Sequence, residues 1–237
     1  MDNNFLNNLK YLDKSKKEKF VSQIFSNVAD NYDLMNDLMS FGLHRSWKKK
    51  MVSLIKVNEK SIVLDLASGS GDIAKLIKKK SNCECIIYDA NVQMLRKAKK
   101  KIGSGTFISG KAENLPFKNN TFDYITVGFG LRNFSDLNKA LIEAKRVLKK
   151  GGFFVSLEFS EINNSIFREL FYLYGKVIPK YAGLFLNKKL AYEYLIKSIK
   201  HFPNQIELSK NLKKNKFHNI KVIDILDGLA AIHISEK

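Results

Sequence analysis

Leu64-Asp65-Leu66-Ala67-Ser68-Gly69-Ser70-Gly71-Asp72 is the stretch that decides the fold. The apolar run SIVLDLA predicts a buried strand, the glycines a tight turn, and DIAKLIKKK from Asp72 a helix opening on an acid. Strand, glycine turn and helix in that order form the first unit of an open parallel sheet, with a ligand site beyond the carboxyl end of the strand. The next strand, CECIIYD, ends in Asp89, eighteen residues after Gly71. A carboxylate there can accept hydrogen bonds from both hydroxyls of a ribose.

The same rhythm continues outward. NVQMLRKAKKK reads as a helix capped by Asn91, TFISG as a third strand and FDYITVGFG as a fourth. SDLNKALIEAKRVLKK reads as an amphipathic helix capped by Ser135 and stopped at Gly151-Gly152, followed by a fifth strand, FFVSLEFS. Toward the C-terminus, NIKVIDI and LAAIHIS alternate around Asp227-Gly228, which predicts a hairpin. The expected fold is therefore α/β: a seven-stranded sheet with five parallel strands and a C-terminal antiparallel pair. The expected organisation is one domain over residues 1–237, comprising a helical N-terminal cover (1–55), a cofactor-binding half (56–160) and a helical insertion with the terminal hairpin (161–237). In the cover, Phe20, Ile24 and Val28 make an apolar helical stripe; in the insertion, Leu190, Tyr194 and Lys197 share a face.

Composition bounds the function. The apolar share of 45% supports a full core. A net charge of +18 predicts attraction to anionic surfaces: nucleic acid, anionic lipid or acidic ligands. Cys83 and Cys85, two apart on one strand face, are too few for a zinc site and poorly placed for a disulfide, and are expected as reduced structural thiols. The polar N-terminus lacks the apolar core of a secretory signal, and no run is long enough to span a membrane.

The glycine turn admits two kinds of cofactor. A dinucleotide would place its pyrophosphate at the helix start, where Asp72 would repel it. A sulfonium cofactor carries an ammonium and no phosphate, and the acids Asp65 and Asp72 suit it better. The loops after the third and fourth strands, Lys111-Ala112-Glu113-Asn114-Leu115-Pro116-Phe117 and FGLRN, face the same site by topology.

Five segments carry a resemblance: FSNVADNYDLMNDLMSFGLHRSWKK, VLDLASGSGDIA, AENLPFKNNTFDYITVGFGLRN, ALIEAKRVLKKGGFFVSLEFS and GLAAIHISEK. Together they resemble the ubiquinone/menaquinone biosynthesis C-methyltransferases, enzymes acting on polyprenyl-benzoquinol and demethylmenaquinol. The first segment and FGLRN are specific to that family; the glycine turn and RVLKKGG are shared by many class I methyltransferases of Rossmann-like fold. The resemblance implies S-adenosylmethionine as cofactor, contacted by Ser70, Asp89, Lys111, Ala112 and Gly128; Gly69, Gly71 and Asp65 are expected at the cofactor from the turn itself. It implies a catalytic pair in Arg132 and Asn133. Arg132 cannot readily serve as a base, so its expected role is to stabilise a phenolate. His44 is the titrating candidate for the phenol proton, and Tyr32, Asp33 and Glu158 are candidates facing the substrate.

Four positions depart from the family pattern. Ser68-Gly69-Ser70-Gly71-Asp72 stands where Gly-Gly-Thr-Gly-Asp is usual; Lys111 stands where Asn or Asp would accept from the adenine amino group; Gly128 replaces a serine. Lys111 only donates, so adenine recognition would pass to backbone groups of Ala112. The expected partners are a polyprenyl quinol, the membrane surface and a quinone-biosynthesis protein complex. The expected location is the cytoplasm, peripheral to the inner face of the membrane, with FRELFYLYGKVIPKYAGLFL as either interfacial segment or lid.

Two rivals remain at this level. A nucleic-acid methyltransferase would use the +18, but amino-methylases carry an Asn/Asp-Pro-Pro-aromatic motif after the fourth strand and cytosine-carbon methylases a loop cysteine. This chain has FGLRN there, only Pro116, Pro179 and Pro203 in all, and no cysteine in such a loop, so no nucleic-acid partner is expected. The other rival, a non-catalytic subunit of a quinone-synthesis assembly, is motivated by Lys111 and Gly128. Benzoquinol and naphthoquinol rings are not distinguished.

Overall fold

The structure, a computed structural model, describes residues 13–28, 36–37, 40–174 and 189–237. Its centre is a sheet of seven strands in the order β3-β2-β1-β4-β5-β7-β6. The strands are β1 (Ile62–Leu66), β2 (Glu84–Asp89), β3 (Thr106–Ser109), β4 (Phe122–Gly128), β5 (Leu148–Phe159), β6 (His218–Ile225) and β7 (Ala230–Glu236). The first five pair in parallel and β7 pairs antiparallel with β5 and β6, as expected from the sequence. The order reverses between β1 and β4, which is where an open α/β sheet leaves a crevice at its carboxyl edge.

Helices α1 (Lys14–Val28), α2 (His44–Ser53), α3 (Asp72–Lys80), α4 (Val92–Ile102), α5 (Leu137–Val147), α6 (Lys189–His201) and α7 (Gln205–Lys214) cover the sheet. Both faces are buried, so the strands are apolar nearly throughout, yet side chains still alternate. Val63, Cys85 and Ile87 pack with Trp47, Met51, Ile73 and Met94 on one face. Leu64, Leu66, Ile86 and Tyr88 pack with Phe122, Leu141 and Phe217 on the other. Cys83 and Cys85 are free, buried and in the same cluster, matching the expected shared face.

The local signals resolve unevenly. Asn91 caps α4, accepting from the amides of Gln93 and Met94. The Leu226-Asp227-Gly228 turn joins β6 to β7 with all three residues at positive φ. Ser135 does not cap α5: Asp136 does, accepting from the Lys139 amide, while the Ser135 hydroxyl turns to Glu113 and Glu18. Nor do Gly151-Gly152 end that helix, which stops at Val147 as β5 begins at Leu148. In α6 the buried face runs through Ala191, Tyr194, Leu195 and Ile199, with Leu190 exposed. Phe20 and Ile24 of the α1 stripe are buried; the side chain of Val28 lies outside the described residues, as do Tyr32 and Asp33.

Candidate active site

Three strand exits and one helix enclose the site. At the end of β1 the chain leaves through Ala67 at φ 53°, and at the end of β4 through Phe129 at φ 58°. Left-handed backbone is uncommon for residues with a side chain, and its occurrence at two adjacent strand exits marks a turn held by its surroundings. The two exits touch: a Cβ on Gly130 would lie 2.8 Å from Ala67 Cβ, so the glycine of FGLRN is needed for close approach. Gly71 must be glycine for two reasons, its φ of +80° and the 2.7 Å that would separate a Cβ from Ile102 Cδ1 on α4.

Between these exits and α1 lies a cavity of about 650 Å³. Gly69, Asp89, Lys111 and Ala112 line it, with Phe129, Gly130 and Asn133 from the β4 exit. Helix α1 closes it with Glu18, Ser22 and Phe25. That wall is tied down by Glu18 to Lys111 (2.5 Å) and to the Ser135 hydroxyl (3.0 Å), and by Asn91 Nδ2 donating to Ser22 O and Ser26 Oγ. Lys111, which cannot accept from adenine, is thus a strap to the cover.

Asp89 accepts from the Gly69 amide (2.8 Å) and the Asn91 amide (2.7 Å), so its carboxylate is fixed at the cavity wall. Burial raises its pKa, and the two amides partly offset this. Asp65 is fully enclosed. The sheet register sets it beside Thr126, whose hydroxyl donates to it at 2.9 Å, and the Ala74 amide donates at 3.0 Å. Burial pushes its carboxyl up to about 7, so it acts as a strut between β1, β4 and α3 more than as an open charge.

A small second pocket adjoins the cavity at Ala67 and is lined by Lys48, Asp65, Ser68, Ser70, Asp72 and Gly128. Asp72 was expected to present an acid to the cofactor. In the fold it is flanked by Lys48 Nζ at 2.7 Å and Lys101 Nζ at 2.6 Å. Burial opposes ionisation there, but the two lysines overcome it and hold the carboxyl well below the usual range. Lys101 also donates to Ser70 Oγ at 3.0 Å. A side chain on Gly128 would run into Ile73 Cδ1, so the missing serine there is matched by an isoleucine filling the space.

Arg132 and Asn133 form a short 3₁₀ turn past β4. Asn133 lines the cavity; Arg132 lies behind it, its side chain 2% exposed and paired with Glu158 at 2.5 Å. Arg132 Nη1 also donates to Phe129 O at 2.7 Å, while its Nε is buried with no hydrogen-bond partner. Burial pushes the Glu158 carboxyl up, and Arg132 offsets this only in part. Glu158 therefore faces Arg132, not open space. His44 is buried and lines neither pocket. Its Nε2 lies 2.9 Å from Asp37 Oδ1, and its Nδ1 is buried and unpartnered. Burial first, then the charge of Lys48, lowers its pKa, leaving a neutral imidazole.

Three contributors had no legible motif: Glu18, Lys48 and Tyr194. The Tyr194 hydroxyl, brought in by α6, donates to Asn133 Oδ1 at 2.9 Å and fixes the amide. Its spacing in AYEYL announces only a helix face.

A parallel sheet with a β7 hairpin, a glycine turn and an acid ending β2 defines a class I methyltransferase. The cavity fits an adenosyl cofactor: the Asp89 carboxylate is fixed at its wall by two amides, and the Ser68 hydroxyl, in the adjoining small pocket, is a buried polar atom with no partner. The chain belongs to the ubiE/COQ5 methyltransferase family, whose model matches residues 12–237. It is 45% identical over 240 residues to "Ubiquinone/menaquinone biosynthesis C-methyltransferase UbiE" of Rickettsia bellii, covering 96% of each chain. The Rickettsia prowazekii enzyme of the same name is 44% identical, again over 96% of each. Among solved structures, a SAM-dependent methyltransferase of Thermotoga maritima superposes with TM-score 0.68 at 20% identity, covering 92% of this chain and 99% of its own. Phosphoethanolamine N-methyltransferase 2 of Haemonchus contortus, in complex with S-adenosylhomocysteine, gives 0.60 at 14% identity over 81% of this chain and 52% of its own. The chain is an enzyme, and its cofactor is S-adenosylmethionine.

Proposed function

We propose that this enzyme methylates a ring carbon of a polyprenyl quinol in ubiquinone biosynthesis, menaquinone biosynthesis or both. The observation that carries the reading is its full-length kinship with the named C-methyltransferases. The cofactor supplies an electrophilic methyl group; the ring carbon attacks once a neighbouring phenol has lost its proton. What the chain must provide is in-line placement, a dry site and charge stabilisation of the phenolate.

Asn133 lines the cavity, which supports a contact with the ring oxygen. Arg132, buried behind Asn133 and paired with Glu158, would favour the phenolate from behind the cavity wall, without contact to the ring oxygen. Glu158 holds that guanidinium; His44 lines neither pocket, and burial and the charge of Lys48 disfavour its protonated form, so the structure lends its proposed role as proton acceptor no support. Tyr32 and Asp33 stay as substrate-side proposals from their place in the N-terminal cover.

The prenyl tail requires docking at a bilayer. Among the described residues no helix is long and apolar enough to cross a membrane. Ile166, Leu170 and Leu173 are 59–70% exposed at helical spacing within residues 165–174, and exposed Phe41 stacks on Tyr174 at the end of that helix. With the +18 charge, this patch supports peripheral attachment to anionic lipid. Flotation with anionic vesicles should carry the protein upward, and Leu170→Ser with Leu173→Ser should abolish it.

Incubating the protein with methyl-labelled S-adenosylmethionine and membranes accumulating each demethylated quinol tests the reaction. Label in a lipid product identifies the ring. Label in neither, with cofactor binding intact, would overturn the quinol assignment.

A further inference from the structure

The chain's positive charge is unevenly placed. Helices α2, α3 and α4 hold thirteen lysines and arginines against one acid, Asp72, so these three helices carry +12 of the net +18. On the opposite face of the sheet, α5 and α7 set six cations against two acids. Asp72 is already engaged by Lys48 and Lys101, and no other acid belongs to α2, α3 or α4. Lys49, Lys50, Lys75, Lys79, Lys99 and Lys100 are exposed. Cations in the last turn of a helix answer its dipole. Arg45, Lys48, Lys49, Lys75, Arg96 and Lys97 stand outside the last turns, so helix ends do not account for the charge.

The three helices form one continuous layer. All bury their apolar sides in the same core, through Met51, Ile77 and Met94. The starts of α2 and α3 meet through Lys48 and Asp72, and their ends meet where Lys80 donates to the carbonyls of Val52 (2.9 Å) and Ile55 (2.5 Å). Helix α4 packs on the start of α3, where Ala98 and Ile102 crowd Gly71. The layer also borders the apolar patch. Phe41 and Leu43, 57% and 38% exposed, lead into α2, and Phe41 stacks on Tyr174 at 4.6 Å, at the end of the stretch that exposes Ile166, Leu170 and Leu173. A cationic face flanking an apolar edge suits a bilayer surface: apolar side chains enter the acyl boundary while lysines reach the phosphates of the headgroups. A phosphate backbone alone would leave the apolar edge unused. We infer that the outer surface of α2, α3 and α4 is a docking face for an anionic bilayer, which sets the apolar patch, and with it the carboxyl edge of the sheet where α2 and α3 begin, against the lipid. This face deepens the peripheral attachment proposed above, on which it rests, by assigning the orientation and the lipid charge.

Cosedimentation of the full chain with two kinds of vesicle tests this: phosphatidylcholine alone, and phosphatidylcholine with phosphatidylglycerol in equal parts. The wild type should bind the anionic vesicles at least about a hundredfold more tightly than the neutral ones and lose most of that gain in high salt. Lys49→Gln, Lys50→Gln, Lys75→Gln and Lys79→Gln together should weaken binding to the anionic vesicles by about a hundredfold or more, since each lysine near the surface contributes about fivefold. Melting temperature and S-adenosylmethionine affinity should not change. Lys139→Gln, Lys210→Gln, Lys213→Gln and Lys214→Gln together give the same net charge from the opposite face and should cost less than about tenfold. Equal losses from the two sets would reduce the effect to net charge and overturn the docking face. A wild type that binds both vesicles equally would also overturn it, and would leave attachment through the apolar patch standing. A wild type that binds neither vesicle would overturn peripheral attachment itself; RNA binding lost with the first four lysines in that case would assign the face to nucleic acid.

Discussion

Removing the carboxylate of Glu158 should unfold this enzyme at a markedly lower temperature. Glu158 and Arg132 are each 2% exposed at the side chain and lie 2.5 Å apart, and the carboxylate also accepts from the Phe159 amide at 3.0 Å. Phe159 covers the guanidinium with its ring 5.7 Å away. Glu158→Ala leaves a guanidinium in that enclosure with only the Phe129 carbonyl to accept from it. Orphaning one member of a buried pair costs about 3–5 kcal/mol. At about 2–4 °C per kcal/mol for a chain of this size, the melting temperature should fall by about 6–20 °C. Circular dichroism melts at neutral pH measure it directly. Arg132→Met combined with Glu158→Leu should recover more than half of the loss, because two apolar side chains need no compensation. A fall of less than about 3 °C for Glu158→Ala, or a double variant no more stable than the single, would refute the view that the pair is desolvated and coupled.

The other predictions concern pH and positioning. The Asp65 carboxyl titrates near 7 in the fold against an ordinary 3.8, so between those values the folded state holds a proton that the unfolded chain has released. Stability contributed by that proton is present below about pH 4 and lost as pH rises through 7; Asp65→Asn removes the slope, and its advantage over the wild type should grow by up to roughly 4 kcal/mol across that window. A difference in urea midpoints that does not change with pH would count against it. Tyr194→Phe deletes the hydroxyl that orients Asn133 without touching the cofactor wall. Methyl transfer should slow by about fivefold or more with S-adenosylmethionine affinity unchanged, and equal loss in both would show the hydroxyl to be merely structural.

Much of the fold was legible because the strands are buried on both faces and the glycine turn has few alternatives. VLDLASGSGD, the acid at 89 and the Asp227-Gly228 hairpin determined a five-plus-two sheet with a nucleoside-sized site at its switch point. Local signals failed where neighbours compete for the same group: Ser135 looks like a helix cap, but Glu113 and Glu18 take its hydroxyl, and Asp136 caps instead. Tertiary structure alone decided the charge state of the site. In sequence, Asp65 and Asp72 are two acids flanking a glycine turn; in the fold burial pushes one carboxyl up to about 7 and the other is clasped by lysines from α2 and α4. Likewise the Arg132–Glu158 pair, 26 residues apart, and the Tyr194–Asn133 bond, 61 apart, exist only because β4, β5 and α6 converge. Residue type and spacing determine which strand ends can meet a ligand, since periodicity is local. Which charges survive there depends on burial and on partners distant in sequence, and these are set only when the chain has packed.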